Sequence, residues 1–75
     1  MTAYVNNGGN SGVLDYDIKD SSIVVRFKDY SVYEYPAYKI GLDNLNHMKS
    51  LARRGSGLNS FINTNQKVKF GYLRR

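Results

Sequence analysis

The apolar residues of this chain follow two different spacings, and the change between them at Leu42 most limits how it can fold. Before Leu42, Ile23, Val25 and Phe27 occupy alternate positions, a period of two that is typical of β-strands. From Leu42 onward the apolar positions form one helical stripe. This order predicts an α+β fold in which the strands precede the helices. The helical stripe consists of Leu42, Leu45, Met48, Leu51 and Ala52.

Three short strands are predicted in the first half of the chain. They cover residues 14–19, 23–28 and 32–35, where apolar and polar positions alternate or β-branched and aromatic residues dominate. Pro36 ends the third strand because proline has no backbone N–H to donate to a sheet. The short turns between these segments favour an antiparallel β-meander.

The register of the second hairpin stays open at this level. A two-residue loop would place Phe27 opposite Val32, whereas a three-residue loop would place Phe27 opposite Tyr33. Because a shift of one residue turns every side chain to the other face, the register decides whether Tyr33 and Tyr35 face the core or the solvent.

Two helices are predicted in the second half of the chain. The first begins at Leu42 and ends at Gly55, since glycine commonly follows the last turn of a helix. The second is short and covers residues 58–62. Apolar and basic positions alternate again over residues 67–72, which allows a C-terminal edge strand.

The length and composition of the chain predict a single, marginally stable domain. A chain of 75 residues buries only about 60% of the surface that it exposes when unfolded. There is no cysteine to form a disulfide or a thiolate metal site. Residues 1–12, rich in glycine and asparagine, are expected to form a flexible N-terminal arm, and residues 13–75 the domain. The absence of a secretory signal or a long apolar run predicts a cytoplasmic protein without a membrane partner, in the host cytoplasm if a phage encodes it.

The positive charge is concentrated in the last third of the chain. The formal net charge is +5, and residues 51–75 contain six basic side chains and no carboxylate side chain. An unopposed basic segment is a candidate surface for phosphate groups, although it also suits a solvated face that keeps a small protein soluble. The six side chains are Arg53, Arg54, Lys67, Lys69, Arg74 and Arg75.

Aromatic residues offer a first candidate binding surface. Single-stranded nucleic acids often bind a sheet whose aromatic rings stack on the bases while basic groups contact the phosphates. Tyr33 and Tyr35 could form such a platform, with Arg26 beside them on the neighbouring strand. The alternative is that these rings fill the core of a chain that has no tryptophan.

The turn between the two predicted helices is a second candidate. The N–H groups at the start of a helix, together with nearby guanidinium groups, can bind an anion, and glycines would let a phosphate approach closely. The same sequence also suits a plain helix connector. The turn consists of Arg53, Arg54, Gly55, Ser56 and Gly57.

Catalysis is not expected. His47 is the only histidine, cysteine is absent, and no nucleophile elbow is present. Asp15, Asp17 and Asp20 lack the glycine and the final glutamate of a calcium loop. We therefore predict no enzyme activity, no metal and no cofactor.

Specific residues between positions 13 and 72 resemble the KTSC domain. The resemblance is carried by a Tyr-x-Tyr motif at residues 33–35 and by a Gly-x-x-x-Asn-x-x-Ile spacing at Gly55, Asn59 and Ile62. This small family is named for its occurrence at the C-terminus of some lysyl-tRNA synthetases, and it also occurs as stand-alone bacterial or phage proteins. The resemblance implies an α+β fold, and the family's suspected function is RNA binding.

The leading prediction from the sequence is a non-catalytic module that binds nucleic acid, RNA rather than DNA. One alternative is a phage-type protein that binds a host protein or assembles as a homo-oligomer. Another is an oligomeric protein that binds a nucleotide or another small phosphorylated ligand. Asn59 could contact the ligand or stabilise a neighbouring loop. The predicted site residues are Arg26, Tyr33, Tyr35, Arg53, Arg54, Gly55, Ser56, Gly57, Asn59, Lys67 and Lys69.

Overall fold

The computed structural model describes residues 1–6 and 12–75. Over these residues the chain forms a five-stranded antiparallel sheet in which the strands follow one another in chain order. The strands are β1 (Thr2–Ala3), β2 (Val13–Ile18), β3 (Ser22–Phe27), β4 (Val32–Pro36) and β5 (Leu73–Arg74). The helices are α1 (Ala37–Ile40), α2 (Leu42–Arg54), α3 (Leu58–Thr64) and α4 (Gln66–Lys69).

The predicted α+β class is confirmed, but three strands and two helices understate the fold. The C-terminal strand is present at Leu73–Arg74 rather than over residues 67–72. Residues 66–69 form α4 instead, because the side-chain oxygen of Asn65 accepts a hydrogen bond from the backbone N–H of Val68 (3.2 Å). Helical geometry also buries Val68 completely in the core.

The first six residues belong to the fold, which corrects the prediction of a flexible arm over residues 1–12. Thr2 and Ala3 pair with β2, and the backbone N–H of Tyr4 donates to the carbonyl of Leu14 (3.1 Å). The Tyr4 ring is buried, and its hydroxyl accepts a hydrogen bond from the N–H of Leu58 at the start of α3 (3.3 Å). Residues 7–11, which were also assigned to the arm, lie outside the described residues.

The second hairpin has a register that neither predicted alternative contains. Its three-residue loop covers residues 28–30, and Phe27 donates to the carbonyl of Ser31 (2.9 Å). Val25 therefore pairs with Tyr33, and both Tyr33 and Tyr35 lie on the face of the sheet that packs against the helices. Three-residue hairpin loops of this kind commonly end in a left-handed residue, and here that residue is Tyr30, with φ of +67°.

The core lies between the sheet and the helices. A β-bulge near Leu14 brings Val13 and Tyr16 onto the same buried face, although they are three positions apart. These side chains pack against the apolar stripe of α2 and against one face of α3. The largest fully buried side chains are Tyr35, Ile23, Ile40, Leu45, Met48, Leu58, Val13, Val25 and Val68.

Hydrogen-bonded charges occupy the other face of the sheet. Arg26 donates to the Asp15 carboxylate (2.9 Å), and Arg75 donates to the Glu34 carboxylate (2.8 Å). Glu34 is only 7% exposed, and its second carboxylate oxygen accepts from the Ser22 hydroxyl (2.6 Å). These bonds compensate for the partial burial of both carboxylates.

Replacing Glu34 is expected to reduce the effect of acid on stability. The hydrogen bonds from Ser22 and then Arg75 hold the pKa of the Glu34 carboxyl below its ordinary value of 4.5. Ionised Glu34 therefore stabilises the fold above that value, and the stabilisation is lost as the pH falls through the lower pKa of the folded state. In urea unfolding between about pH 7 and pH 3, the wild type should lose more stability than Glu34→Gln. Equal losses in the two proteins would contradict this role.

The turn between α2 and α3 is built on two glycines that the fold requires to different degrees. Gly55 (φ +76°) ends α2, and a Cβ atom there would lie 2.7 Å from the Cβ of Val5. Gly57 (φ +85°) has more room, since a Cβ there would be 3.3 Å from the end of the Arg54 side chain.

Alanine should therefore be tolerated less well at position 55 than at position 57. A left-handed backbone costs a non-glycine residue about 1–2 kcal/mol, which both variants incur. Gly55→Ala must also displace Val5 and the N-terminal strand, so we expect it to lose clearly more unfolding free energy than Gly57→Ala in urea denaturation. Similar losses would show that the contact between Gly55 and Val5 can relax without cost.

Candidate functional site

A pocket of about 450 Å³ opens where the β3–β4 hairpin meets α3 and the chain after α4. Its floor belongs to the core face of β4, one wall to α3, and its rim to the hairpin loop and the end of α4. The pocket is lined by Gly12, Phe27, Lys28, Asp29, Ser31, Tyr33, Tyr35, Asn59, Ile62, Asn63, Lys69 and Tyr72.

The floor of the pocket presents a neutral phenol. Tyr35 is only 2% exposed, and its hydroxyl has no hydrogen-bond partner among the described residues. Tyr35 is one of the residues that line the pocket. Burial, and then the neighbouring Tyr33 and Tyr72, raise the pKa of Tyr35 well above its ordinary value. The hydroxyl therefore keeps its proton and can both donate and accept a hydrogen bond.

Aromatic rings form a continuous cluster along the sheet side of the pocket. The ring centre of Tyr33 lies 5.6 Å from that of Phe27 and 4.5 Å from that of Tyr72. Tyr72 also contacts Tyr35 at 6.5 Å, edge to face. A flat apolar ligand could therefore contact several ring faces or edges at once.

The wall formed by α3 carries two amides on one side of the helix. Asn59 and Asn63 are four positions apart, which places them on the same face of α3 with Ile62 between them. Within residues 1–6 and 12–75 neither side-chain amide has a hydrogen-bond partner. The predicted hydrogen bond from Asn59 to a neighbouring loop is therefore not found among these residues. Each amide can offer one acceptor and two donor hydrogens to a ligand.

The rim of the pocket is predominantly basic. Lys28 and Lys69 line it, and the guanidinium of Arg74 lies 5.8 Å from the ring centre of Tyr33. Asp29 is the acid in the lining, and its carboxylate accepts hydrogen bonds from the hydroxyl (2.6 Å) and the backbone N–H (3.0 Å) of Ser31. These bonds, with a smaller contribution from Arg74, hold the pKa of Asp29 below its ordinary value, so its charge is engaged within the hairpin.

Arg26 does not lie beside Tyr33 and Tyr35, as the predicted platform requires. The observed register places the two tyrosines on the core face, whereas Arg26 lies on the opposite face and is bonded to Asp15. Both tyrosines nevertheless reach the pocket, because the helices do not cover the sheet at this end.

The predicted basic turn is not part of the pocket. Gly55 packs against Val5, the N–H of Leu58 is bonded to the Tyr4 hydroxyl, and Arg54 donates to the Ser56 hydroxyl (3.1 Å). Arg53 is exposed beside Arg54 at the end of α2. These contacts give the turn a structural role, while anion binding by its arginines stays a prediction.

The two predicted lysines of the C-terminal segment lie in different places. Lys69 lines the pocket, whereas the Lys67 amine lies 3.6 Å from where a Cβ atom on Gly41 would be. Sequence reasoning missed Lys28, Asn63 and Tyr72 as pocket residues. Asn63 lies one residue beyond the predicted second helix, and its spacing of four from Asn59 was a usable signal for the second amide. The other two depend on how the hairpin and the C-terminal segment meet.

Two further classes of site find no support in the described part of the chain. It contains no group of three or more potential metal-binding side chains among histidine, cysteine, aspartate and glutamate. None of its helices is both long enough and apolar enough to cross a bilayer.

Two tyrosine hydroxyls provide a test of this geometry. Tyr4→Phe leaves the buried N–H of Leu58 without its partner and should cost about 1–3 kcal/mol of unfolding free energy. Tyr35→Phe removes a hydroxyl that bonds to no described residue, so we expect a change within about 0.5 kcal/mol. Urea denaturation of both variants measures the difference. A large loss in Tyr35→Phe would mean that its hydroxyl is bonded within the protein.

Comparison of this chain with protein-family models, curated proteins and solved structures finds no match. The resemblance to KTSC domains therefore depends on the motif residues themselves. Tyr33, Tyr35, Asn59 and Ile62 all line the pocket, whereas Gly55 lies in the turn that leads into α3.

Proposed function

We propose that this protein is a non-catalytic module that binds single-stranded nucleic acid, RNA in preference to DNA, and takes one base into the pocket. The observation that supports this most is the combination, in one pocket, of an aromatic wall, polar groups that bond to no described residue and a basic rim. Each of these three features corresponds to one part of a nucleotide.

The interior of the pocket suits a nucleobase. Its volume of about 450 Å³ falls in the usual range for small-ligand sites. The rings of Tyr33 and Tyr72 offer stacking surfaces, which are worth about 1–3 kcal/mol per base in single-strand binding. The amides of Asn59 and Asn63 and the Tyr35 hydroxyl supply donors and acceptors for the edge of the base. A ligand without matching groups would leave them desolvated and unpaired, which disfavours its binding.

The rim suits the phosphates that a base brings with it. Lys28 and Lys69 line the pocket, and Arg74 lies 5.8 Å from the ring centre of Tyr33. The one carboxylate in the lining is held by Ser31. Contacts of this kind position the backbone and make binding strongly dependent on salt.

The preference for RNA is supported by the resemblance to KTSC domains. Four of the five motif residues that carry this resemblance converge on the pocket. Aromatic and amide groups also suit the unstacked bases of single-stranded RNA, whose edges are free to form hydrogen bonds. We also propose that the protein is located in the cytoplasm, which is the host cytoplasm if a phage encodes the chain.

The second candidate is a nucleotide or another small phosphorylated ligand. The pocket is already formed by one chain, so this function would not require the oligomer that the sequence suggested. Binding to a host protein or self-assembly remains the third candidate, and exposed apolar side chains such as Tyr38 and Leu42 are its main support.

A matched pair of lysine variants tests the proposed function. Lys69 and Lys67 lie on the same short helix, but only Lys69 lines the pocket. For a labelled single-stranded RNA of about eight nucleotides, affinity should fall steeply with salt. In fluorescence anisotropy over a salt series, Lys69→Gln should reduce the slope of log K against log [salt] by about 0.7, the value of one phosphate contact on a single strand. Lys67→Gln should leave the slope unchanged.

Three outcomes would contradict this proposal. Undetectable or salt-insensitive binding of both RNA and single-stranded DNA by the wild type would exclude nucleic-acid binding. Equal effects of Lys69→Gln and Lys67→Gln would place the nucleic acid elsewhere on the surface. Stabilisation by one mononucleotide without any affinity for oligonucleotides would favour the second candidate.

A further inference from the structure

An exposed aromatic ring lies at the tip of the β3–β4 hairpin, on an unfavourable backbone. Tyr30 has φ of +67°, a conformation that glycine or asparagine adopts far more readily than a bulky residue. Tyr30 is 73% exposed, and its side chain makes no hydrogen bond or ring contact with the rest of the described chain. The ring therefore contributes little stability that could offset the backbone strain at this position. A bulky residue retained under strain is a reason to look for a function.

A second exposed ring follows α4. Phe70 is 70% exposed, and the amine of Lys69 lies 5.8 Å from its ring centre. The cation of this pair is one of the two lysines that line the pocket, whereas the ring of Phe70 lies outside the lining.

Both rings adjoin the pocket through their chain neighbours. Tyr30 lies between Asp29 and Ser31, and Phe70 directly follows Lys69; these three neighbours all line the pocket. The two rings thus belong to two different segments that border the pocket, the hairpin loop and the end of α4.

We propose that Tyr30 and Phe70 stack on the nucleotides that flank the base held in the pocket. The ligand would then be a single strand of at least three nucleotides rather than a mononucleotide. This inference rests on the proposed function and specifies its ligand class. It gives the exposed ring of Tyr30 a role that the fold does not supply.

Charge favours a nucleic acid as the occupant of this surface. Lys28 lies in the same loop as Tyr30, Lys69 lies over Phe70, and Arg74 lies beside Tyr33. Cations interleaved with exposed rings match a strand in which phosphates alternate with bases, since each nucleotide then meets one ring and one positive charge. An apolar protein segment would bury these cations without neutralising them.

The test compares ring-removal variants on ligands of different length. The variants are Tyr30→Gly and Phe70→Ser. The control is Tyr38→Ser, because Tyr38 is 77% exposed but neither of its chain neighbours lines the pocket. The ligands are single-stranded RNAs of one, three and eight nucleotides, measured by fluorescence anisotropy or calorimetry at low salt. The Tm of each protein is recorded alongside.

We expect Tyr30→Gly and Phe70→Ser each to weaken binding of the three- and eight-nucleotide RNAs by about fivefold or more, with little change for the mononucleotide. Tyr38→Ser should bind all three as the wild type does. The Tm of Tyr30→Gly should be unchanged or higher, because glycine adopts this backbone conformation without strain. Asparagine also tolerates a left-handed backbone, so Tyr30→Asn should reproduce the loss of affinity if the glycine variant folds poorly.

The failures of the two proposals are distinguishable. If the wild type binds the eight-nucleotide RNA but the Tyr30 and Phe70 variants bind it equally well, the flanking rings have no role and the proposed function stands. Equal affinity of the wild type for one and eight nucleotides would also overturn the inference. If the wild type binds no nucleic acid of any length, the proposed function fails and this inference fails with it.

Discussion

The pairing of Val25 with Tyr33 across the β3–β4 hairpin sets the side-chain directions on which the rest of the molecule depends. Because neighbouring strand residues point to opposite faces, this register turns Tyr33 and Tyr35 towards the helices. It turns Glu34 towards the opposite face, where Ser22 and Arg75 satisfy its carboxylate. A shift by one residue would bury the carboxylate among apolar side chains and expose both rings, at a large cost in free energy.

The N-terminal residues hold the helical wall of the pocket in place. The Tyr4 hydroxyl caps the N–H of Leu58, and Val5 packs on Gly55 in the turn before α3. The direction of α3 in turn decides where Asn59 and Asn63 point. A segment that adds only a two-residue strand to the sheet therefore has a second role in positioning the amides of the candidate site.

A domain of this size has little stability to spare, yet part of its core opens into a pocket. The Tyr35 hydroxyl and the side-chain amides of Asn59 and Asn63 make no hydrogen bond to the described residues. The pocket also occupies volume that apolar side chains could fill. The left-handed backbone of Tyr30 adds strain at the rim of the same pocket. Features that do not stabilise a fold are expected where a binding site is built, and here they occur together.

The sequence by itself determined the fold class and the end of α2 at Gly55, because the spacing of apolar residues and the position of a glycine act on the local backbone. It also excluded disulfides, because the chain contains no cysteine. Its basic C-terminal segment and its tyrosine motif also identified several side chains that line the pocket. Only the tertiary structure decided that Arg26 faces away from the tyrosines, that Lys69 reaches the pocket and Lys67 does not, and that Tyr4 is part of the core. Each of these depends on a strand register or on contacts between distant segments, which local periodicity does not encode.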